Sequence, residues 1–69
     1  METLGIRIKR LRKQKKLTQS ELAADRLTKG MLSLIENDKA RPSMDSLRFI
    51  AHQLHVDVGF LLDDGTLTM

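Results

Sequence analysis

The stretch Thr18–Glu36, TQSELAADRLTKGMLSLIE, contains two helix starts in close succession. Thr18 is a good N-cap, Glu21 completes a capping box with it, and Leu17 is placed to staple against Leu22. These residues predict a short helix over about Gln19 to Ala24. DRLT breaks it, and Thr28 caps a further helix over about Lys29 to Asn37, with Leu32 and Ile35 on its buried face. Two helices joined by so short a turn cross steeply, and the small Ala23 permits their close approach, the helix-turn-helix arrangement. The second helix then projects its first turn outward, with Thr28, Lys29 and Gly30 at the tip and Ser33, Leu34 and Asn37 along the exposed face. A helix N-terminus carries unpaired N–H groups and partial positive charge, which favour phosphate or base-edge acceptors. Lys29 supplies a donor, Gly30 lets a backbone come close, and Thr28 can do either job. The same spacing also fits a plain helical hairpin with a solvated second helix.

Working outward, Leu4, Ile8 and Leu11 share one face of a helix from about Leu4 to Lys15. Lys15 and Lys16 near its end suit the helix dipole. After the polar loop NDKARP, Pro42 prevents the preceding helix from running on, and Ser43 caps a fourth helix with Asp45 in its first turn. Met44, Leu47, Ile50, Ala51 and Leu54 stand at core spacing there, and Met31 is given a core role as well. Asp57 can cap a last short helix carrying Val58, Leu61 and Leu62. No segment alternates with period two for long enough to be a strand, and there is no repeat. The expectation is a compact all-α fold of five short helices in a single domain spanning 1–69. Its core covers about 4–62, and 63–69 form a tail or the start of a linker.

The chain has 69 residues, no Cys and a net charge of +3. A domain this small buries only ~60% of its unfolded surface, so it depends on well-packed helices, a partner, or both. The absence of Cys fits a reducing compartment. No apolar run nears the ~18–20 residues that span a bilayer, and the basic N-terminus lacks the apolar core of a signal peptide. A cytoplasmic chain without membrane attachment is expected. All 12 basic residues and six of the 9 acidic ones lie in residues 1–48, which leaves that part at +6 and residues 49–69 at −3. Such a division suggests a polyanion on one side and something else on the other. Charge alone is equally compatible with a solvated helix face.

Three segments, IKRLRKQKKLTQSELA, LSLIENDKARPSMDSL and IAHQLHV, resemble the phage-repressor-like (Xre/Cro type) DNA-binding domains. The resemblance runs from about Leu4 to Leu62. It implies a lambda-repressor-like domain that binds a double-stranded DNA operator as a dimer, with the third helix in the major groove. By position, Gln19 is expected to touch phosphate and brace the recognition helix. Thr28, Lys29, Gly30, Ser33 and Leu34 fall where the family faces bases or phosphates, and Asn37, Lys39 and Arg41 near the DNA backbone. The resemblance also implies a structural ion pair between Arg12 and Glu36, although Arg12 could equally serve as one more phosphate-binding cation. One departure concerns the turn: the family commonly has one more residue between helices 2 and 3, with Gly in it, and AADRL has none. Shortened in this way, and with RPSMDSL, the chain is similar to the N-terminal domains of peptide-responsive, tetratricopeptide-containing regulators. It is thus a candidate first domain of a longer protein.

Phe49 and Phe60 fall outside the core stripes. With His52, Gln53, Val56 and the GTLTM tail they form a candidate seam for a homodimer or a following effector domain; alternatively one or both rings tuck into the core. His52 and His55 lack a third ligand at suitable spacing, so no metal or other cofactor is expected. Enzymatic chemistry has no support either: there is no thiol, no glycine-rich phosphate loop and no nucleophile–base pair. The alternative to a DNA-binding regulator is a helical protein-interaction or antitoxin-like module whose Phe49/Phe60 face binds a partner. Membrane-surface binding by the first helix is disfavoured, because Leu4, Ile8 and Leu11 are needed for the core.

Overall fold

Hydroxyl side chains begin the first four helices. The computed structural model describes residues 2–62, which form α1 (Leu4–Gln14), α2 (Gln19–Ala23), α3 (Lys29–Glu36), α4 (Met44–Leu54) and α5 (Val58–Leu62). Among the described residues there is no strand. Thr3, Thr18, Thr28 and Ser43 each accept the backbone N–H three residues on, at 3.0–3.1 Å. At Thr18 the capping box closes, the Glu21 carboxylate accepting the Thr18 N–H at 2.7 Å. Replacing such a cap by Ala costs ~1 kcal/mol. The tail at 63–69, with Asp63 and Asp64, lies outside the described residues.

The apolar stripes then meet. Ile8 and Leu11 of α1, Leu22 and Ala23 of α2, Leu32 and Ile35 of α3, and Leu47, Ile50, Ala51 and Leu54 of α4 are buried together with Leu61 of α5. Helix α3 packs on α1 and α2, while α4 packs on α1, α2 and α5. Two residues assigned to the core, Met31 and Met44, stand outside it instead, 44% and 51% exposed, and Leu62 of α5 is 43% exposed. Periodicity explains why. Met44 is the first residue of α4, and a helical side chain leans toward the N-terminus, so it points past the edge of the core. Met31 flanks the Leu32/Ile35 stripe, and Leu62 ends α5 beyond Leu61.

Helix α1 begins on top of the end of α3. Asp38, just past α3, adopts φ 61°. Its carboxylate accepts the Thr3 hydroxyl at 2.6 Å and the Gly5 N–H at 3.1 Å. A Cβ at Gly5 would lie 2.3 Å from the Ile35 carbonyl oxygen and 2.8 Å from that of Glu36. Glycine is therefore required by close approach, and the positive end of α1 faces the negative end of α3.

The turn between α2 and α3 is strained. Ala24 sits at φ 51°, ψ −131°, and the Arg26 N–H donates to the Ala23 carbonyl at 3.2 Å, closing a four-residue turn. These angles match the second position of a type II′ turn, which glycine dominates. Departure from the family pattern at this turn thus takes a physical form: an alanine held where a glycine is favoured. Two small substitutions are expected to move stability in opposite directions. Gly5→Ala should lower it by about 1–3 kcal/mol through overpacking against backbone. Ala24→Gly should raise it, since relief of about 1–3 kcal/mol of strain exceeds the added unfolded-state entropy of about 0.5–1 kcal/mol. Urea unfolding midpoints at unchanged m-value measure both.

Candidate nucleic-acid interface

Orientation of α3 rests on a buried charged network. Glu36 is 2% exposed and Arg12 8%. Arg12 donates from Nε to Glu36 Oε2 at 2.7 Å and from Nη2 to Oε1 at 3.1 Å, while its Nη1 donates to the Leu17 carbonyl at 2.8 Å. Gln19 Nε2 adds a third bond to Glu36, at 3.1 Å to Oε1. One carboxylate thereby ties α3 to α1 and to the first turn of α2, and the Arg12 link reaches the loop between them. Burial of this ion pair is tolerable because both oxygens and all three engaged guanidinium nitrogens have partners.

With Leu32, Ile35 and Glu36 turned inward, Gly30, Leu34 and Asn37 occupy the opposite, exposed face of α3. Lys29 is exposed at the tip, and Ser33 is half-buried on the flank. Nothing lies within 4 Å of where a Gly30 Cβ would stand, so the helix surface is open there. Thr28 Oγ1 accepts the Met31 N–H as cap, which leaves its hydroxyl proton to donate elsewhere. The Asn37 side chain turns back on its own helix, Nδ2 donating to the Ser33 carbonyl at 2.8 Å. Beyond it, the N–H groups of Lys39 and Ala40 donate to the Leu34 carbonyl at 2.8 and 3.3 Å, folding the loop against α3 with exposed Lys39 and Arg41 beside it.

The basic cluster of α1 is divided in its loyalties. Arg12 is buried in the network above. Arg10 and Arg7 both bond Glu2, Arg7 Nε to Oε1 at 2.9 Å, and Arg7 Nη1 also donates to the Phe60 carbonyl at 2.7 Å. Hydrogen bonds first from Arg10 and then from Arg7 lower the Glu2 carboxyl from 4.5 to about 2. Exposed Lys13, Lys15 and Lys16, past these pairs, remain directed to solvent. Neither Glu2, Thr3, Gly5 nor Asp38 was singled out from sequence for these contacts. A glycine inside the first turn of α1, just after a threonine, was the available signal.

Of the candidate seam, Phe49 is half-buried with the Arg26 guanidinium 5.4 Å from its ring centroid, in a hollow of about 210 Å³ shared with Leu27, Asp45 and Ser46. Phe60 is 46% exposed, with Arg7 5.5 Å from its centroid. Neither ring belongs to the buried core. His52 is exposed and Gln53 half-buried on α4, and Val56 packs against the core. Among the described residues, no group of three or more His, Cys, Asp or Glu is placed to hold a metal ion. No helix among them is long and apolar enough to cross a membrane.

A buried-pair scaffold that presents the second helix of a tight helix-turn-helix defines a helix-turn-helix domain. The chain belongs to the helix-turn-helix family of the Xre/Cro type, which it matches over residues 8–61. It is 39% identical over 66 residues to the immunity repressor protein of Bacillus phage phi105, covering 94% of this chain and 46% of the repressor. The chain therefore spans about half the length of that relative. Its structure is similar to Bacillus thuringiensis PlcR in complex with the peptide PapR7 and DNA, with a TM-score of 0.87 and 31% identity over 99% of this chain and 24% of that one. It is also similar to SinR, the master regulator for biofilm formation, in complex with DNA, with a TM-score of 0.82 and 40% identity over 88% of this chain and 100% of that one.

Two expectations follow from the charged contacts. Arg12→Ala is expected to cost about 3–5 kcal/mol by leaving Glu36 buried and unpaired, and a paired Arg12→Met, Glu36→Leu replacement should recover most of it; urea denaturation compares the three. Because the Glu2 pKa is depressed in the folded chain, its contribution is present above pH ~4.5 and is lost as pH falls toward about 2. Glu2→Gln should flatten the stability profile across that window, read from thermal midpoints at each pH.

Proposed function

We propose that the chain reads double-stranded DNA in a sequence-specific way, as the DNA-binding part of a transcriptional regulator, with α3 in the major groove. The observation that carries this reading is the open face of α3, tipped by Lys29 and locked in orientation by the Arg12–Glu36–Gln19 network. Likeness to two regulators solved with DNA, one of them 40% identical, supports it.

In this reading Thr28, Lys29, Gly30, Ser33 and Leu34 face bases or phosphates, and Asn37, Lys39 and Arg41 flank the DNA backbone. Gln19 keeps one amide N–H for a phosphate while the other braces Glu36. The activity is binding, not catalysis, and the compartment is the cytoplasm. The whole chain, 1–69, acts as one DNA-reading domain. It works as a homodimer, or joined to an effector domain, through the side carrying Phe49, His52, Gln53, Val56 and Phe60. A two-fold pair sets recognition helices ~34 Å apart, matching successive major grooves. A second reading, a protein-interaction module, draws on exposed Phe60, Met44 and Leu62. The last two border a groove of about 280 Å³ with Leu4, Arg41, Pro42 and Leu47.

Fluorescence anisotropy against a random-core duplex pool at two salt concentrations, with sequencing of the bound fraction, tests the proposal. Affinity should fall steeply with salt, by a log–log slope of about −0.9 per phosphate neutralised, and a two-fold-related motif should be enriched. Lys29→Ala should weaken binding by roughly tenfold or more, the loss of a base or phosphate donor of about 1–3 kcal/mol. Absence of binding at low salt would favour the protein-interaction reading.

A further inference from the structure

We infer that the centre of the α3 face reads thymine through its C5-methyl group, with Leu34 as the residue that sets this preference. The inference rests on the DNA-binding reading above and says which base feature that face selects. Hydrogen-bond readout is scarce at the middle of the helix. Gly30 has no side chain, and the surface above it is empty to 4 Å. One N–H of the Asn37 amide is committed to the Ser33 carbonyl at 2.8 Å, which turns that side chain back along its own helix. Leu34 has neither donor nor acceptor, yet it is 44% exposed.

Gly30 and Leu34 lie about 40° apart around the helix axis, one turn apart along it, so the gap left by glycine sits directly beside the leucine. Met31, also 44% exposed, continues the apolar strip on the side away from Lys29. In the major groove only the T·A pair offers an apolar group, the thymine methyl. Charge complementarity supports that occupant: Lys29, Lys39 and Arg41, all exposed, stand at the tip of α3 and in the loop beyond it, where phosphates would be held. An apolar strip bounded by cations matches a groove floor carrying methyl groups between anionic walls.

Deoxyuridine keeps every hydrogen-bonding atom of thymidine and lacks only the methyl. Duplexes enriched in the selection above are resynthesised with deoxyuridine at one thymidine at a time, and anisotropy is measured for the native chain and for Leu34→Ala. At one or two positions per half-site, removal of the methyl should weaken native binding about fourfold, the effect of one buried methyl. The same change should leave Leu34→Ala binding unaltered. Because Leu34 is exposed and Ala favours helix, that variant keeps the fold, which circular dichroism verifies. Salt-sensitive binding that is indifferent to deoxyuridine would overturn this inference and leave the DNA-binding reading standing. Equal losses in native and Leu34→Ala chains would overturn the assignment to Leu34. No binding to any duplex would overturn both readings.

Discussion

Glu36 is the point through which three parts of the molecule communicate. Its two oxygens take three hydrogen bonds, two from Arg12 on α1 and one from Gln19 on α2, in a place almost closed to solvent. A charge in such a position is costly to bury, and the attraction of its partner does little more than offset that cost. What the pair contributes is direction. A hydrophobic contact between α1 and α3 would tolerate rotation of either helix about its axis. A bidentate guanidinium–carboxylate bond does not, because its two parallel bonds hold only in one plane. With α3 fixed in azimuth, Gly30, Leu34 and Asn37 have only one way to face.

A second constraint sets the position of α3 along its length. The first turn of α1 rests on the last carbonyls of α3, with Asp38 bonding both Thr3 and Gly5 across the junction. Asp38 makes both contacts from a left-handed backbone conformation, which its short polar side chain tolerates. Together, the ion pair and this junction define the rotation and the register of the helix on which the proposed function rests. The apolar core supplies cohesion, but it is less particular about angle.

Helices bounded by local chemistry were legible in the sequence. Thr18, Thr28 and Ser43 act within three residues, so spacing alone identifies them. The buried stripes were also visible, since periodicity reports faces. Periodicity does not report where a core ends, and for that reason Met31 and Met44 were placed inside when they lie outside. Contacts between distant residues had no local signal. Arg12 and Glu36 were paired through family resemblance, and the roles of Asp38 and Glu2 emerged only with the fold. Absence of glycine from AADRL was plain to read, whereas the positive φ forced on Ala24 was not. As for the DNA-facing residues, the structure gives their exposure and geometry; what they touch belongs to the proposal.

The two ends of α3 are held unequally. Its C-terminal end is clamped by polar bonds of Glu36 and Asp38 to two other helices. Toward its N-terminal end it is held by apolar packing of Leu32, and of Leu27 in the connection that follows the strained Ala24. The helix is a lever with its pivot near Glu36 and Lys29 at the free tip, about 10 Å away at 1.5 Å per residue. A tilt of about 10° at the pivot carries the tip sideways by about 2 Å, enough to make or lose a hydrogen bond. The shape of the five-residue connection at 24–28 thus governs how sharply the tip is aimed.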